Sequence, residues 1–217
     1  MKKLYIFDFD GTLTTRDTLL QFIIYARGMW RFVIGFLVHS PLLVLMKLKL
    51  YPNYRAKQRI FAWFFRGTTD EHFNYLCRQF AADNASLIRP EAKAKLNGLL
   101  ADGEEVCIVS ASIDNWVSPF FDSMATRDGS HLHVLGTQVE CDSKGMLTGR
   151  FLTNNCYGAE KVRRLLLQYP ELKTDRNSFY VEAYGDSRGD RELLAFADKA
   201  YYKPFRNNFE QRVSDSH

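Results

Sequence analysis

With 217 residues, 46% of them hydrophobic and 25% charged, the chain has a globular composition, long enough for one core domain plus an insertion, which excludes a low-complexity or disordered protein. Its net charge of +4 comes without a dense Lys/Arg run, so nucleic acid is excluded as an expected partner, while a mildly basic balance suits anionic phosphates. The four cysteines, Cys77, Cys107, Cys141 and Cys156, show no C-x-x-C pairing and no signal peptide precedes the first apolar run. A reducing cytoplasm is therefore the expected compartment, with Cys107 in the core.

The chain opens on Leu4-Tyr5-Ile6-Phe7-Asp8-Phe9-Asp10-Gly11-Thr12. A nearly continuous apolar run ends in two carboxylates one residue apart, which predicts a buried parallel strand opening into an active-site loop. Asp8 and Asp10 sit at period two, so both can face one side of an extended backbone at the strand's carboxyl end, where open α/β sheets bind ligands. An ordinary Asp-Gly turn is the plainer alternative.

Residues 14–88 interrupt the α/β alternation with an aromatic-rich stretch that reads as an inserted helical cap. Leu19, Leu20, Phe22, Ile23 and Ile24 begin it, and Ile60, Phe61, Phe64 and Phe65 recur at helical spacing within residues 54–66. Thr68 with Glu71 forms a capping-box pattern for a further helix whose Phe73, Leu76, Cys77 and Phe80 share a face. Residues 32–46 contain no Asp, Glu, Lys or Arg, and Arg27, Arg31, Lys47 and Lys49 flank them. A spanning helix needs about 20 such residues, and His39-Ser40-Pro41 interrupts this run, so no transmembrane helix is expected. Two readings remain, a buried helix pair breaking at Pro41 or an amphipathic surface element giving peripheral membrane contact; burial is the leading one.

From Pro90 the alternation resumes. A helix over residues 91–100 leads to the strand 106–109, which delivers Ser110 at its tip, and a second helix is expected within residues 115–125. Residues 134–137 and 146–152 flank the turn Asp142-Ser143-Lys144-Gly145 and predict a β-hairpin. A helix over 158–168 carries Lys161 in its first turn. Strand 179–184 discharges into Gly185-Asp186-Ser187-Arg188-Gly189-Asp190, and a helix over 191–197, a strand at 201–202 and a polar tail over 206–217 finish the chain. The expected fold is therefore α/β: a Rossmann-like parallel sheet core (1–13 and 89–205) with an inserted α-helical cap (14–88).

Asp8, Asp10, Ser110, Lys161, Asp186 and Asp190 thus converge on one sheet edge. Clustered carboxylates repel unless a hard cation sits among them, and an all-oxygen set suits Mg2+, which also takes a substrate phosphate. Ser110 offers a hydroxyl and nearby backbone N–H groups, and Lys161 a positive charge at a helix N-terminus that already favours oxyanions. For Lys161 a solvated surface lysine is the alternative, since Arg163 and Arg164 follow it.

In this order Asp8-Phe9-Asp10-Gly11-Thr12, Val109-Ser110-Ala111-Ser112, Gly158-Ala159-Glu160-Lys161 and Gly185-Asp186-Ser187-Arg188-Gly189-Asp190 resemble the motifs of the haloacid dehalogenase superfamily. The insertion after the first motif and the phrase Asn155-Cys156-Tyr157-Gly158-Ala159-Glu160-Lys161-Val162 resemble its phosphoserine-phosphatase-like branch. The resemblance implies a phosphomonoester hydrolase with Asp8 as nucleophile, forming an aspartyl phosphate, and Asp10 as acid and then base. It further implies Mg2+ on Asp8, the backbone carbonyl of Asp10 and Asp186, with Asp190 completing or orienting the set, and phosphoryl oxygens on Thr12, Ser110 and Lys161. Phosphoserine phosphatases carry Glu where Asp17 stands, Gly for Ala111 and Asn for Gly189, so the resemblance does not extend to phosphoserine as substrate. Asp17 is a candidate for the leaving group, or a helix-terminal charge; Asn155 is a second substrate candidate, or a cap for the Lys161 helix. A phosphotransferase, a lipid-phosphate phosphatase at the membrane surface and a silent phosphate-binding module are the rival functions. The sequence leaves the oligomeric state open.

Overall fold

A computed structural model describes residues 1–124 and 131–206. Five parallel strands form the central sheet in the order β3-β2-β1-β6-β7: β1 (Lys2–Phe7), β2 (Glu105–Ile113), β3 (Leu132–Thr137), β6 (Phe179–Gly185) and β7 (Lys199–Tyr202). The Rossmann-like parallel sheet expected from the apolar runs is present. Side chains alternate along β1, so Tyr5 and Phe7 enter one apolar layer while Leu4 and Ile6 enter the other. Burying both faces explains why β1 reads as an unbroken apolar run rather than an alternating one. The chain leaves β1 for β2 on one side and later reaches β6 on the other, which opens a crevice at the carboxyl end of β1.

Between β1 and β2 run α1 (Thr18–Arg27), α2 (Met29–Lys47), α3 (Asn53–Phe65), α4 (Asp70–Asp83) and α5 (Pro90–Ala101). An isolated antiparallel bridge between Thr14 and Ile88 closes the base of the segment holding α1 to α4. Phe22 ties that segment to the sheet layer: its ring stacks on Phe65 at 5.3 Å and on Trp116 at 5.0 Å, and meets Phe73 and Phe80 edge-on. After β2 come the single turn α6 (Asp114–Val117) and a 3-10 turn over Ser118–Phe121. The helix expected within 115–125 is thus two short turns, because Pro119 cannot extend an α-helical ladder; Ala125 lies outside the described residues, as do residues 207–217 of the expected polar tail. The remaining elements are β4 (Val139–Cys141), β5 (Leu147–Phe151), α7 (Ala159–Gln168), α8 (Glu171–Thr174) and α9 (Arg191–Phe196).

Three further expectations are corrected. The hairpin about Asp142–Gly145 joins β4 to β5, whereas residues 134–137 belong to β3 and pair in parallel with β2 at the sheet's edge. The cap of α4 is Thr69, whose hydroxyl accepts from the His72 N–H at 3.2 Å; Thr68 instead accepts from the Arg27 guanidinium at 2.6 Å. Most consequentially, α2 neither breaks at Pro41 nor lies buried. Pro41 removes the N–H that would bond the Leu37 carbonyl, and the Ser40 hydroxyl donates to that carbonyl at 2.8 Å instead, so the helix continues. Of its 19 residues only Gly35 is buried, where a Cβ would collide with the Phe64 ring, and its mean hydropathy of 1.7 makes it long and apolar enough to cross a membrane.

Candidate active site

The irregular turn after β1 is what points its two carboxylates into the crevice. Asp8 continues the β1 ladder through its N–H to the Tyr184 carbonyl at 2.8 Å, and Gly11 then turns the chain with φ +79°, a conformation that favours glycine. A Cβ on Gly11 would lie 2.5 Å from Asp186 Oδ2, so the turn and the third carboxylate are packed against each other. On the neighbouring strand, pairing lapses between Val109 and Ile113. This bulge turns Ser110 and Ser112 toward the site, and the Ser110 hydroxyl accepts from the Ser112 N–H at 3.0 Å.

Lys161 is 1% exposed, and its ammonium sits between two carboxylates, 2.5 Å from Asp8 Oδ1 and 2.6 Å from Asp190 Oδ1. A solvated surface lysine is thereby excluded. Burial works against its charge, yet Asp8 and Asp190 overturn that effect and hold its pKa above the usual lysine value. The Asp8 carboxyl is pushed up to about 7 by burial, with Lys161 opposing the rise. Its second oxygen accepts from the Thr12 hydroxyl at 3.0 Å, so Thr12 supports Asp8 from beneath. Burial also acts on Asp190, but Lys161 and Ser187 prevail and its pKa falls below the ordinary carboxylate range. Asp190 Oδ2 accepts from the Ser187 N–H and hydroxyl at 2.9 and 2.8 Å, which ties the last motif into a capping box.

Asp10 faces a different set of donors. Its Oδ1 accepts from the Thr18 N–H at 2.7 Å and hydroxyl at 2.6 Å, and its Oδ2 from the Ser112 hydroxyl at 2.5 Å. Burial raises its pKa, the Asp17 charge adds to the rise, and the Ser112 and Thr18 bonds restrain it. One carboxylate is thus coupled to an ammonium and its neighbour to hydroxyls, the kind of asymmetry that separates a nucleophile from an acid. Asp186 is held by Arg206, whose guanidinium reaches Oδ2 at 2.6 Å and the Gly11 carbonyl at 3.3 Å. Burial raises its pKa and Arg206 opposes that. One carboxylate oxygen from each of Asp8, Asp186 and Asp190 falls within 4.8 Å of the others.

A cavity of about 180 Å3 lies over this group, lined by Asp8, Asp10, Asp17, Ser110 and Lys161 among others. Asp17 caps α1 through the Leu19 N–H at 3.0 Å and also lines the cavity. Asn155 does neither. The residue preceding α7 is Gly158 without a side-chain cap, and the Asn155 amide oxygen accepts from the Thr137 hydroxyl at 3.4 Å, outside the cavity lining. The sequence reading missed Lys57, Phe61 and Trp116, which reach the cavity from the helices, and Ser112, Tyr157 and Arg206 near the carboxylates. Only Ser112 carried a legible signal, its period-two spacing from Ser110. Gly189, unlike a larger residue, leaves space for the Tyr157 ring packed on it.

The chain and its fold have counterparts among known proteins. The family profile described as haloacid dehalogenase-like hydrolase matches residues 5–195. Protein CicA of Caulobacter vibrioides is 36% identical over 208 residues, covering 94% of this chain and 86% of its own. Among solved structures, a protein of unknown function from Bordetella pertussis Tohama I aligns with a TM-score of 0.77 at 18% identity, covering 92% of this chain and 89% of that one. A substrate-bound phosphoserine phosphatase complex aligns with a TM-score of 0.60 at 14% identity, covering 93% and 86%. The fold is the one these structures share, and with the profile spanning nearly the whole sheet and all four motifs, the chain belongs to the haloacid dehalogenase-like hydrolases.

Proposed function

We propose that the protein is a Mg2+-dependent phosphomonoester hydrolase acting through an aspartyl phosphate on Asp8. The observation that carries this reading is the pairing of Asp8 and Asp10 in one cavity with opposed surroundings, beside Ser110 and Lys161. The donor set fits a hard divalent ion: three carboxylates within 4.8 Å of one another are only partly offset by Lys161 and Arg206, and all their ligating atoms are oxygens. Asp8, Asp186 and the backbone carbonyl of Asp10 would hold the ion, with Asp190 fixing Lys161 and the loop behind it. When bound, Mg2+ neutralises phosphoryl charge and lets an anionic nucleophile approach.

In the first step an Asp8 carboxylate oxygen attacks phosphorus and the ester P–O bond breaks, while the Asp10 carboxyl delivers its proton to the departing alkoxide. Burial favours the protonated Asp10 that this step needs. In the second step a water attacks the aspartyl phosphate, Asp10 takes the water's proton, and phosphate leaves with Asp8 restored. Thr12 and Lys161 orient Asp8 through bonds of 3.0 and 2.5 Å, and Lys161 and the Ser110 hydroxyl accommodate phosphoryl oxygens. The segment over residues 14–88 acts as a cap, since Leu19, Lys57 and Phe61 close the cavity opposite the sheet.

The test is release of p-nitrophenol from its phosphate ester. EDTA should abolish it, Mg2+ should restore it, and Ca2+ should restore little because its longer, looser coordination misplaces the phosphoryl group. Full activity in chelator rules the reading out. Added alcohol acceptors separate hydrolysis from phosphoryl transfer to another hydroxyl.

A further inference from the structure

We propose that α2 lies flat on an anionic bilayer surface, with its apolar side in the boundary between headgroups and acyl chains. Trp30, Val33, Leu37, Val38, Val44 and Leu45 are all exposed along it, Trp30 by 83% and Leu37 by 67%. A face of this length left bare in water is a docking surface, not a packing remainder. The helix is also fit for a low-dielectric boundary. Residues 32–46 carry no charge, and the polar atoms midway along it are spent internally, His39 Nδ1 bonding to the Gly35 carbonyl at 2.8 Å and the Ser40 hydroxyl donating to that of Leu37.

Charge selects the occupant. Between Thr18 and Thr69 the chain has eight basic residues and no acidic one, so most of the helical segment is strongly positive while the rest of a +4 chain is net negative. Arg31, Lys47 and Lys49 sit exposed at the ends of α2, Arg55 and Arg59 lie one turn apart on α3, and Arg66 directly follows it; among the described residues none pairs with a carboxylate. Trp63 lies on the same side of α3 and meets the His39 ring at 5.4 Å, which joins the two helices into one surface. A second copy of this chain is a poor occupant, because a self-facing contact would set these six exposed positive charges against their own copies with no acid between Thr18 and Thr69 to meet them. Lipid phosphates meet that charge directly, and exposed tryptophans suit the interface.

The helix lies on the bilayer and does not span it. Its neighbours α1 and α3 share one core, with Phe22 stacked on Phe65 at 5.3 Å, so both ends of α2 are fixed to the same body. Crossing would drag those helices to opposite leaflets. A flat attachment through the exposed apolar side satisfies both the bare face and the anchored ends.

Flotation of the full chain with phosphatidylcholine vesicles, with and without phosphatidylglycerol, tests this. Binding is expected with phosphatidylglycerol, falling about tenfold or more in molar salt, where screening shortens the reach of charge to about 3 Å. Leu37→Asp with Val44→Asp, and separately Arg31→Glu with Lys47→Glu and Lys49→Glu, should each abolish flotation while leaving p-nitrophenyl phosphate turnover in solution unchanged. Brominated lipids should quench tryptophan fluorescence of the wild type but not of the doubly substituted variant. No flotation with either vesicle, flotation unaltered by both sets of substitutions, or a dimer in solution that the Leu37→Asp variant dissociates and that does not float, would overturn the proposal. Flotation without any phosphatase activity would leave it standing and remove the catalytic reading instead.

Discussion

Replacing Lys161 by methionine keeps the volume of a fully buried side chain but removes the ammonium that lies between Asp8 and Asp190, 2.5 and 2.6 Å away. Breaking a buried ion pair from one side costs about 3–5 kcal/mol, because the remaining carboxylates keep their desolvation without the compensating charge. That is a large fraction of the roughly 5–15 kcal/mol that stabilises a domain, so the variant should fold at 25 °C with a much lower midpoint. The loss should depend on pH. Removing Lys161 takes away the charge that opposes burial at Asp8 and Asp190, so both carboxyls should move upward in the folded state, and the stability they retain by taking up protons is present at low pH and lost as pH rises. In the wild type Asp190 behaves oppositely, its depressed pKa contributing stability above its unfolded value. Urea denaturation in EDTA should therefore show a larger gap between variant and wild type at pH 8 than at pH 5. A gap below about 1 kcal/mol at pH 8, or one equal at both pH values, refutes the reasoning.

Gly11→Ala should slow turnover and raise the Mg2+ concentration needed for half-maximal rate, since φ +79° costs a β-carbon about 1–2 kcal/mol and that carbon would press on Asp186 Oδ2; a metal titration of the rate checks both. Arg206→Ala should lower that half-maximal Mg2+ concentration, because Arg206 competes for Asp186 Oδ2 and the Gly11 carbonyl; weaker metal dependence on the guanidinium than about twofold would show that it is a bystander. Ser112→Ala removes a donor to the ionised form of Asp10, so the Asp10 pKa rises and the acidic limb of aspartyl-phosphate hydrolysis should move to higher pH, as measured by single-turnover rates across pH.

The sheet and its order of motifs were legible because burial of both faces writes β1, β2 and β6 as apolar runs, and each run ends where a polar group is needed. Asp8, Ser110, Lys161, Asp186 and Asp190 could be placed at one edge for that reason. What stayed hidden depends on long-range geometry. Lys57 reaches the cavity only through the fold of the helical segment, Trp116 only through the short turn of α6 after β2, and Arg206 meets Asp186 from 20 residues on. Val134 to Thr137 read as a hairpin arm because a short edge strand has the same pattern as an arm, and its partner in β2 lies outside any local window. The course of α2 was misjudged for a different reason: Pro41 normally ends a helix, and its repair by the neighbouring Ser40 hydroxyl is a matter of rotamer, which residue order does not disclose. Exposure was equally invisible there, since an apolar run reads alike whether a protein core or a bilayer covers it.

The account turns on whether phosphate is carried by Asp8. Acid quench of the enzyme during turnover of a phosphate ester in Mg2+, followed by borohydride reduction and peptide mass spectrometry, converts an acyl phosphate into an alcohol at the residue that bore it. Homoserine at position 8 alone, absent in EDTA and absent without substrate, is the predicted result. Turnover proceeding with position 8 unmodified, or homoserine at position 10 or 186 instead, would contradict it.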